Sequence, residues 1–180
     1  MYIKVELKDL LDSIRVKHPD INGVWIEQSN IVFEERVKMN CYYCGKYNLN
    51  WKCPPKLPEI DYRRMLAEFD DAALIYLKVK FTEETFEDIR VDSSVSLHKA
   101  LLDMEKFLWD HGNPTAISFI GGSCKLCKNG CGKERCNDPY RARTPMEAIG
   151  INVLKIAEKY GIEIPFPPKD YLIRMGLLLW

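Results

Sequence analysis

The sequence has no hydrophobic run long enough to cross a membrane, which would require about 18 consecutive apolar residues. Its N-terminus mixes charged residues into the first turn and lacks the apolar segment of a secretory signal peptide. It also lacks net charge, because 26 lysines and arginines balance 26 aspartates and glutamates. These absences argue against a membrane protein and against a protein that coats nucleic acid with its whole surface. We therefore expect a cytoplasmic protein.

Cysteine is absent from most of the chain, since all seven cysteines lie in two short segments far apart in sequence. The first segment contains Cys41, Cys44 and Cys53, and the second contains Cys124, Cys127, Cys131 and Cys136. Cytosolic thiols stay reduced and seven is an odd number, so a framework of disulfide bonds is disfavoured. The clustering favours metal ligation at all seven positions.

The rest of the sequence predicts one α/β domain over residues 1–180, with a mixed sheet flanked by helices and metal-binding loops at 41–55 and 121–143. The predicted elements are a helix at 7–16, a hairpin of strands 24–26 and 31–33, a loop at 41–58, a helix at 58–69, a strand at 72–79, a helix to Gly112 with an irregularity at Ser93 and Ser94, a strand at 115–120, a helix from Thr144 to Gly161 and a last strand around Gly176.

The segment from Ala72 to Ile120 reads as a strand, a helix and a second strand, which should place both strands in one sheet with a right-handed crossover. Gly121 and Gly122 lead directly from the second strand into Cys124. The four-cysteine loop should therefore follow the carboxyl end of a strand, where open α/β folds tend to hold ligands.

The four-cysteine loop separates its thiols by two, three and four residues. Only a metal that accepts all-sulfur ligation suits this density, which leaves zinc or an iron–sulfur cluster. One Cys-x-x-Cys pair followed by two single cysteines favours iron–sulfur over the paired knuckles of structural zinc sites. The net negative charge of a thiolate-bound cluster would be stabilised by an excess of basic residues between Cys124 and Arg143. Six residues there are basic and two are acidic: Lys125, Lys128, Lys133, Arg135, Arg141 and Arg143, and Glu134 and Asp138.

Zinc is the alternative, because a compact cysteine loop also resembles a zinc knuckle that binds single-stranded RNA. However, no aromatic residue lies between Cys124 and Cys136 on which a base could stack, so nucleic-acid binding is disfavoured.

The three-cysteine loop provides three ligands and then stops, which leaves three interpretations. Cys53 could join the other loop in one shared site, the loop could hold a second cluster with one open iron, or it could hold zinc with a histidine or water. The three histidines, His18, His98 and His111, are better explained as structural or surface residues. The aromatic side chains of this loop, Tyr42, Tyr43, Tyr47 and Trp51, are expected to pack over it and exclude water.

Two motifs, Trp51-Lys-Cys53-Pro-Pro and Gly121-Gly-Ser-Cys124-x-x-Cys127, together with Arg143-Thr-Pro-Met-Glu-Ala-Ile-Gly150, resemble a prokaryotic family of predicted metal-binding proteins of unknown function, common in methanogens and other anaerobes. The resemblance covers about residues 40–180. It implies a metal, with iron–sulfur favoured, at the seven cysteines, and it implies no reaction.

These observations predict an iron–sulfur protein with one or two 4Fe–4S clusters that exchanges electrons with a redox partner protein. In a second version, the open iron of the three-cysteine loop acts on a small-molecule substrate, so whether the protein is an enzyme stays open. From a different class, the alternative is a zinc-stabilised module that contacts a protein or nucleic-acid partner.

Overall fold

The computed structural model describes residues 4–180, which form a four-stranded sheet and five α-helices. The elements in chain order are α1 (Leu7–Ile14), β1 (Asn22–Ile26), α2 (Glu35–Tyr43), α3 (Tyr62–Leu66), β2 (Ala72–Lys80), α4 (Phe86–Asp110), β3 (Ile117–Phe119), α5 (Val153–Lys159) and β4 (Tyr171–Leu179). Two 3₁₀ helices lie at Gln28–Asn30 and Glu147–Ile149. In this part of the chain, no helix is both long and apolar enough to cross a membrane.

The strand order in the sheet is β1-β2-β4-β3, and all three neighbouring pairs are antiparallel. The predicted strand–helix–strand unit is confirmed in that β2 and β3 share one sheet with α4 between them in sequence. The expected mixed sheet is wrong, because the C-terminal strand β4 inserts between β2 and β3 and runs opposite to both. β2 and β3 are thus parallel to each other without being paired.

Helices cover both faces of the sheet because the side chains of β2 alternate between two apolar cores. Ala73, Ile75 and Leu77 face a core shared with α1 and α4. Ala72 and Leu74 face a second core, to which α3 and α5 contribute. Gly176 allows α4 to approach the sheet, since a Cβ atom there would lie 2.6 Å from a methyl group of Leu101.

The strands and helix predicted at the positions of β2, β4 and α1 are confirmed, but the hairpin predicted at 24–33 does not form. The backbone of Glu27 and the side chain of Asn30 both donate to the hydroxyl of Tyr160, each at 2.9 Å. This contact holds the segment between them as a 3₁₀ helix, and Phe33 bridges to Ile151 instead.

Three further boundaries differ from the prediction. α2 extends to Tyr43, so Cys41 lies on a helix rather than in a loop. The helix expected at 58–69 is confined to Tyr62–Leu66, where Asp61 caps it by accepting from the Arg64 amide. α4 continues without a break through its two buried serines, and the hydroxyl of the first accepts a hydrogen bond from Arg174.

The helix predicted from Thr144 to Gly161 is two separate elements. A 3₁₀ turn ends at Gly150, whose φ of 92° is left-handed and breaks the helix. α5 begins only after Asn152, whose side chain accepts from the Lys155 amide.

Candidate metal centre

All seven cysteines are free thiols. Cys41 lies in the last turn of α2 and Cys44 directly after it, whereas Cys53 is buried in the connection to α3. The other four, from Cys124 to Cys136, lie in a segment without helix or strand that follows β3. The position of this segment after the carboxyl end of a strand is as predicted.

The structure brings the two cysteine segments into contact. The side-chain amide of Asn50 donates to the carbonyl of Cys124 at 3.2 Å, and the indole N–H of Trp51 donates to the carbonyl of Gly132 at 2.7 Å. Asn50 is buried, so its hydrogen bond is protected from water. The segments are separated by 74 residues or more at these contacts, and no local sequence pattern indicated that they meet.

Electrostatics also link the two groups of thiols. Burial, reinforced by the neighbouring thiols of Cys41, Cys44, Cys124 and Cys131, raises the pKa of Cys53 to about 12. Thiols of both segments therefore lie within electrostatic reach of Cys53. Since the thiolate is the form that binds a metal, loading Cys53 must release a proton.

No three cysteine, histidine, aspartate or glutamate side chains of residues 4–180 form a ligand group for a metal ion. The thiols do influence one another, since neighbouring thiols contribute to the raised pKa values of Cys53 and Cys124. The donor set nevertheless fits a thiophilic metal, because seven reduced thiols in two touching segments are what zinc or an iron–sulfur cluster binds. The three histidines bond elsewhere, to Asp103, to the carbonyl of Arg141 and to the carbonyl of Phe107.

The four-cysteine loop is closed at its base by the protein itself. The amide of Ile120 donates to the carbonyl of Thr144 at 3.0 Å, and the amide of Met146 donates back to Ile120 at 2.8 Å. Within the loop, the Gly122 amide donates to the two carboxylate oxygens of Glu147 at 3.1 and 3.3 Å. The fold thus brings the two ends of the loop together without a metal.

Glu147 acts on both cysteine segments. It accepts from Gly122 at the start of the second segment, and together with burial and the Cys44 thiol its carboxylate raises the pKa of Cys41 in the first segment. Sequence reasoning missed this role. No local signal could have shown it, since its partner Gly122 lies 25 residues earlier.

α4 holds the exit of the four-cysteine loop at two buried positions. The side chain of Glu105 is fully buried and binds Arg143 through its Nε at 2.8 Å and through Nη2. Two helical turns earlier, the ring of His98 bonds to the carbonyl of Arg141 at 2.9 Å. Burial lowers the pKa of His98 to about 4, so the ring is neutral at pH 7 and donates to that carbonyl.

The six basic residues of the loop differ in their surroundings. Arg143 pairs with Glu105 and Arg141 with Asp138, and the half-buried Lys125 donates to the carbonyl of Ser123. The other three, Lys128, Lys133 and Arg135, are exposed on the loop. Trp51 is half-buried against the second segment, as expected.

The expected aromatic cover over the three-cysteine loop is wrong for two tyrosines. Tyr42 and Tyr43 are 56% and 71% exposed, and their rings pack edge-on against each other at the end of α2.

Comparison with known proteins agrees with the character of this site. No curated protein and no solved structure matches the chain. One family, described as predicted metal-binding protein (DUF2284), matches residues 24–180, a range that contains all seven cysteines and both contacts between their segments. The chain therefore belongs to this family of predicted metal-binding proteins.

Proposed function

We propose that the two cysteine segments form one metal centre that holds two iron–sulfur clusters and exchanges electrons with a partner protein. The observation that carries the proposal is the packing of Asn50 and Trp51 against the four-cysteine loop, which gathers seven thiols in one region. Cys124, Cys127, Cys131 and Cys136 would hold one 4Fe–4S cluster, and Cys41, Cys44 and Cys53 would hold three irons of a second. When bound, the clusters would supply one-electron chemistry.

The number of thiols supports iron–sulfur over zinc. A structural zinc ion takes four ligands, whereas seven thiols in one region exceed that number and match two cubanes with one open iron. The burial of Cys53 supports the same assignment, because burial and polarity around the sulfurs set the potential of a cluster.

The chain's own residues would hold the centre in place and present it to a partner. Trp51 and Asn50 would keep the segments together, and Glu105 would hold the loop exit through Arg143. The exposed Lys128, Lys133 and Arg135 would favour a redox partner with an acidic surface. The cytoplasm, where thiols stay reduced, would suit this site.

The proposal is tested by purifying the protein without oxygen and measuring iron, acid-labile sulfide and zinc on the same sample. We expect about seven to eight irons per chain with matching sulfide. About four irons would reduce the proposal to a single cluster. A colourless protein with stoichiometric zinc and no sulfide would refute it and support the zinc-stabilised module instead.

The contact between the segments can be tested by Trp51→Phe, which keeps an aromatic side chain but removes the indole N–H that donates to the carbonyl of Gly132. We expect a loss of about 1 kcal/mol of unfolding free energy and faster bleaching of the cluster absorbance in air. Trp109→Phe is the matched control, because its indole also donates to a carbonyl, that of Ala116 at 3.0 Å, outside the cysteine segments. If both variants bleach at the same rate, the Trp51 contact does not hold the centre together.

A further inference from the structure

A cavity of about 500 Å³ lies beside the candidate metal centre. One wall is formed by Gly121, Gly122 and Glu147, at the entrance of the four-cysteine loop. The lining also includes Asn40, which immediately precedes Cys41 in α2. The cavity therefore lies beside the start of both cysteine segments, and its volume is that of an ordinary small-molecule site.

Most of the cavity wall is apolar. Ile151 and Val153 line it from the start of α5, and Ile173 and Met175 line it from β4. Ile151 and Met175 belong to the second core, so this wall is rigid. Such a surface suits the flat or branched hydrocarbon body of a ligand.

The polar groups of the cavity are held in position before any ligand binds. Glu34 accepts from the side chains of Arg36 at 2.6 Å, Lys155 at 2.5 Å and Asn152 at 2.9 Å. Three donors thus occupy this carboxylate, while Arg36 uses only its Nε among the described residues. The two terminal nitrogens of the Arg36 guanidinium remain available at the mouth of the cavity, in the geometry that suits a carboxylate or phosphate.

A second polar group of the cavity is the carboxylate of Glu147, which accepts from the Gly122 amide. A carboxylate has about four acceptor positions, so Glu147 can accept further hydrogen bonds from a ligand. Gly122, which donates to this carboxylate, precedes Cys124 by two residues, so this group lies at the start of the four-cysteine loop.

We propose that this cavity binds a small organic anion, whose carboxylate or phosphate pairs with Arg36 and whose apolar body lies against Ile151, Val153, Ile173 and Met175. A hydrogen-bond donor on the body would reach Glu147, next to the metal centre. The binding itself does not depend on which metal is present. Only a reaction of the bound molecule would rest on the proposed iron–sulfur function.

The proposal is tested by equilibrium dialysis of the anaerobically purified protein against two probes, 2-naphthoate and the uncharged 2-naphthamide. We expect both to bind, with naphthoate tighter. Arg36→Ala should weaken naphthoate about fivefold to tenfold and change naphthamide by less than about twofold, because only naphthoate carries the charge. Val153→Trp, or Leu154→Trp if the first variant does not fold, should weaken both probes more than about tenfold by filling the cavity.

Arg135→Ala is the matched control, since Arg135 is an exposed arginine of the four-cysteine loop that does not line the cavity. It should leave both probes unaffected. Binding of naphthoate that depends on Arg135 and not on Arg36, binding that survives the tryptophan variants, or no binding of either probe would overturn the proposal. Iron is measured on the same samples, so absence of iron and absence of probe binding are read separately.

Discussion

The buried ion pair between Glu105 and Arg143 is expected to dominate the attachment of the four-cysteine loop to the fold. Glu105 is fully buried and Arg143 is 13% exposed. The carboxylate accepts four hydrogen bonds, two from Arg143 and two from the amide and hydroxyl of Ser118, the latter at 2.7 and 2.5 Å. Glu105→Gln would leave a buried guanidinium without its counter-charge. Breaking a buried pair in this way costs about 3–5 kcal/mol.

This loss can be measured as the change in unfolding free energy in urea, followed by circular dichroism on metal-loaded protein. Lys106→Gln is the control, since Lys106 is the next residue of the same helix and forms an exposed pair with Asp110, both more than half exposed. Its removal should cost less than about 1 kcal/mol. If Glu105→Gln were as mild as this control, the reasoning about the buried pair would be refuted.

A double variant separates charge from contact. In Glu105→Gln combined with Arg143→Leu, the guanidinium left without a counter-charge is removed, while the side-chain oxygen of the glutamine can still accept from the amide and hydroxyl of Ser118. The double variant should therefore be more stable than Glu105→Gln alone. A double variant that is less stable than the single one would show that the contact, and not the uncompensated charge, carries the effect.

Two further predictions concern the same region. His98 has a folded pKa of about 4 against 6.5 unfolded, so the unfolded state binds more protons below pH 6.5 and the stability contribution of His98 is lost as the pH falls toward 4. Urea titrations should show wild type losing about 2 kcal/mol more than His98→Gln between pH 7 and pH 5, and equal losses would contradict the buried neutral ring. Gly121→Ala would place a Cβ atom 2.5 Å from the carbonyl oxygen of Met175. We expect a loss of about 1–3 kcal/mol in urea unfolding together with less metal per chain, and an unchanged midpoint would contradict the close approach.

The parts of the fold that the sequence predicted correctly are those whose signal is local. The apolar stripe of α4 and the β-rich run of β2 need only their own residues to be recognised. The predictions failed where a distant partner decided the local structure. Tyr160 holds the segment between Glu27 and Asn30, and Glu147 accepts from the Gly122 amide, which lies 25 residues earlier.

Distant contacts also decide how the two groups of cysteines are arranged. The spacing of the cysteines showed which residues are candidates for ligands, but it left open whether the two groups share one region. The contact between the two groups depends on hydrogen bonds from Asn50 and Trp51 to residues more than 70 positions away. Neither residue type indicates such a partner in the sequence. The assignment of the cysteines as ligands stays a prediction.

The position of the apolar cores bears on what a metal would do here. In a zinc-stabilised module, the metal supplies folding free energy because the chain is too small to bury enough apolar surface. Here the two cores are formed by α1, α3, α4, α5 and the sheet, and the base of the four-cysteine loop is closed by backbone hydrogen bonds and by Glu105. Since the fold has these sources of stability of its own, folding alone does not require seven metal-binding thiols, which supports the chemical role that we propose for them.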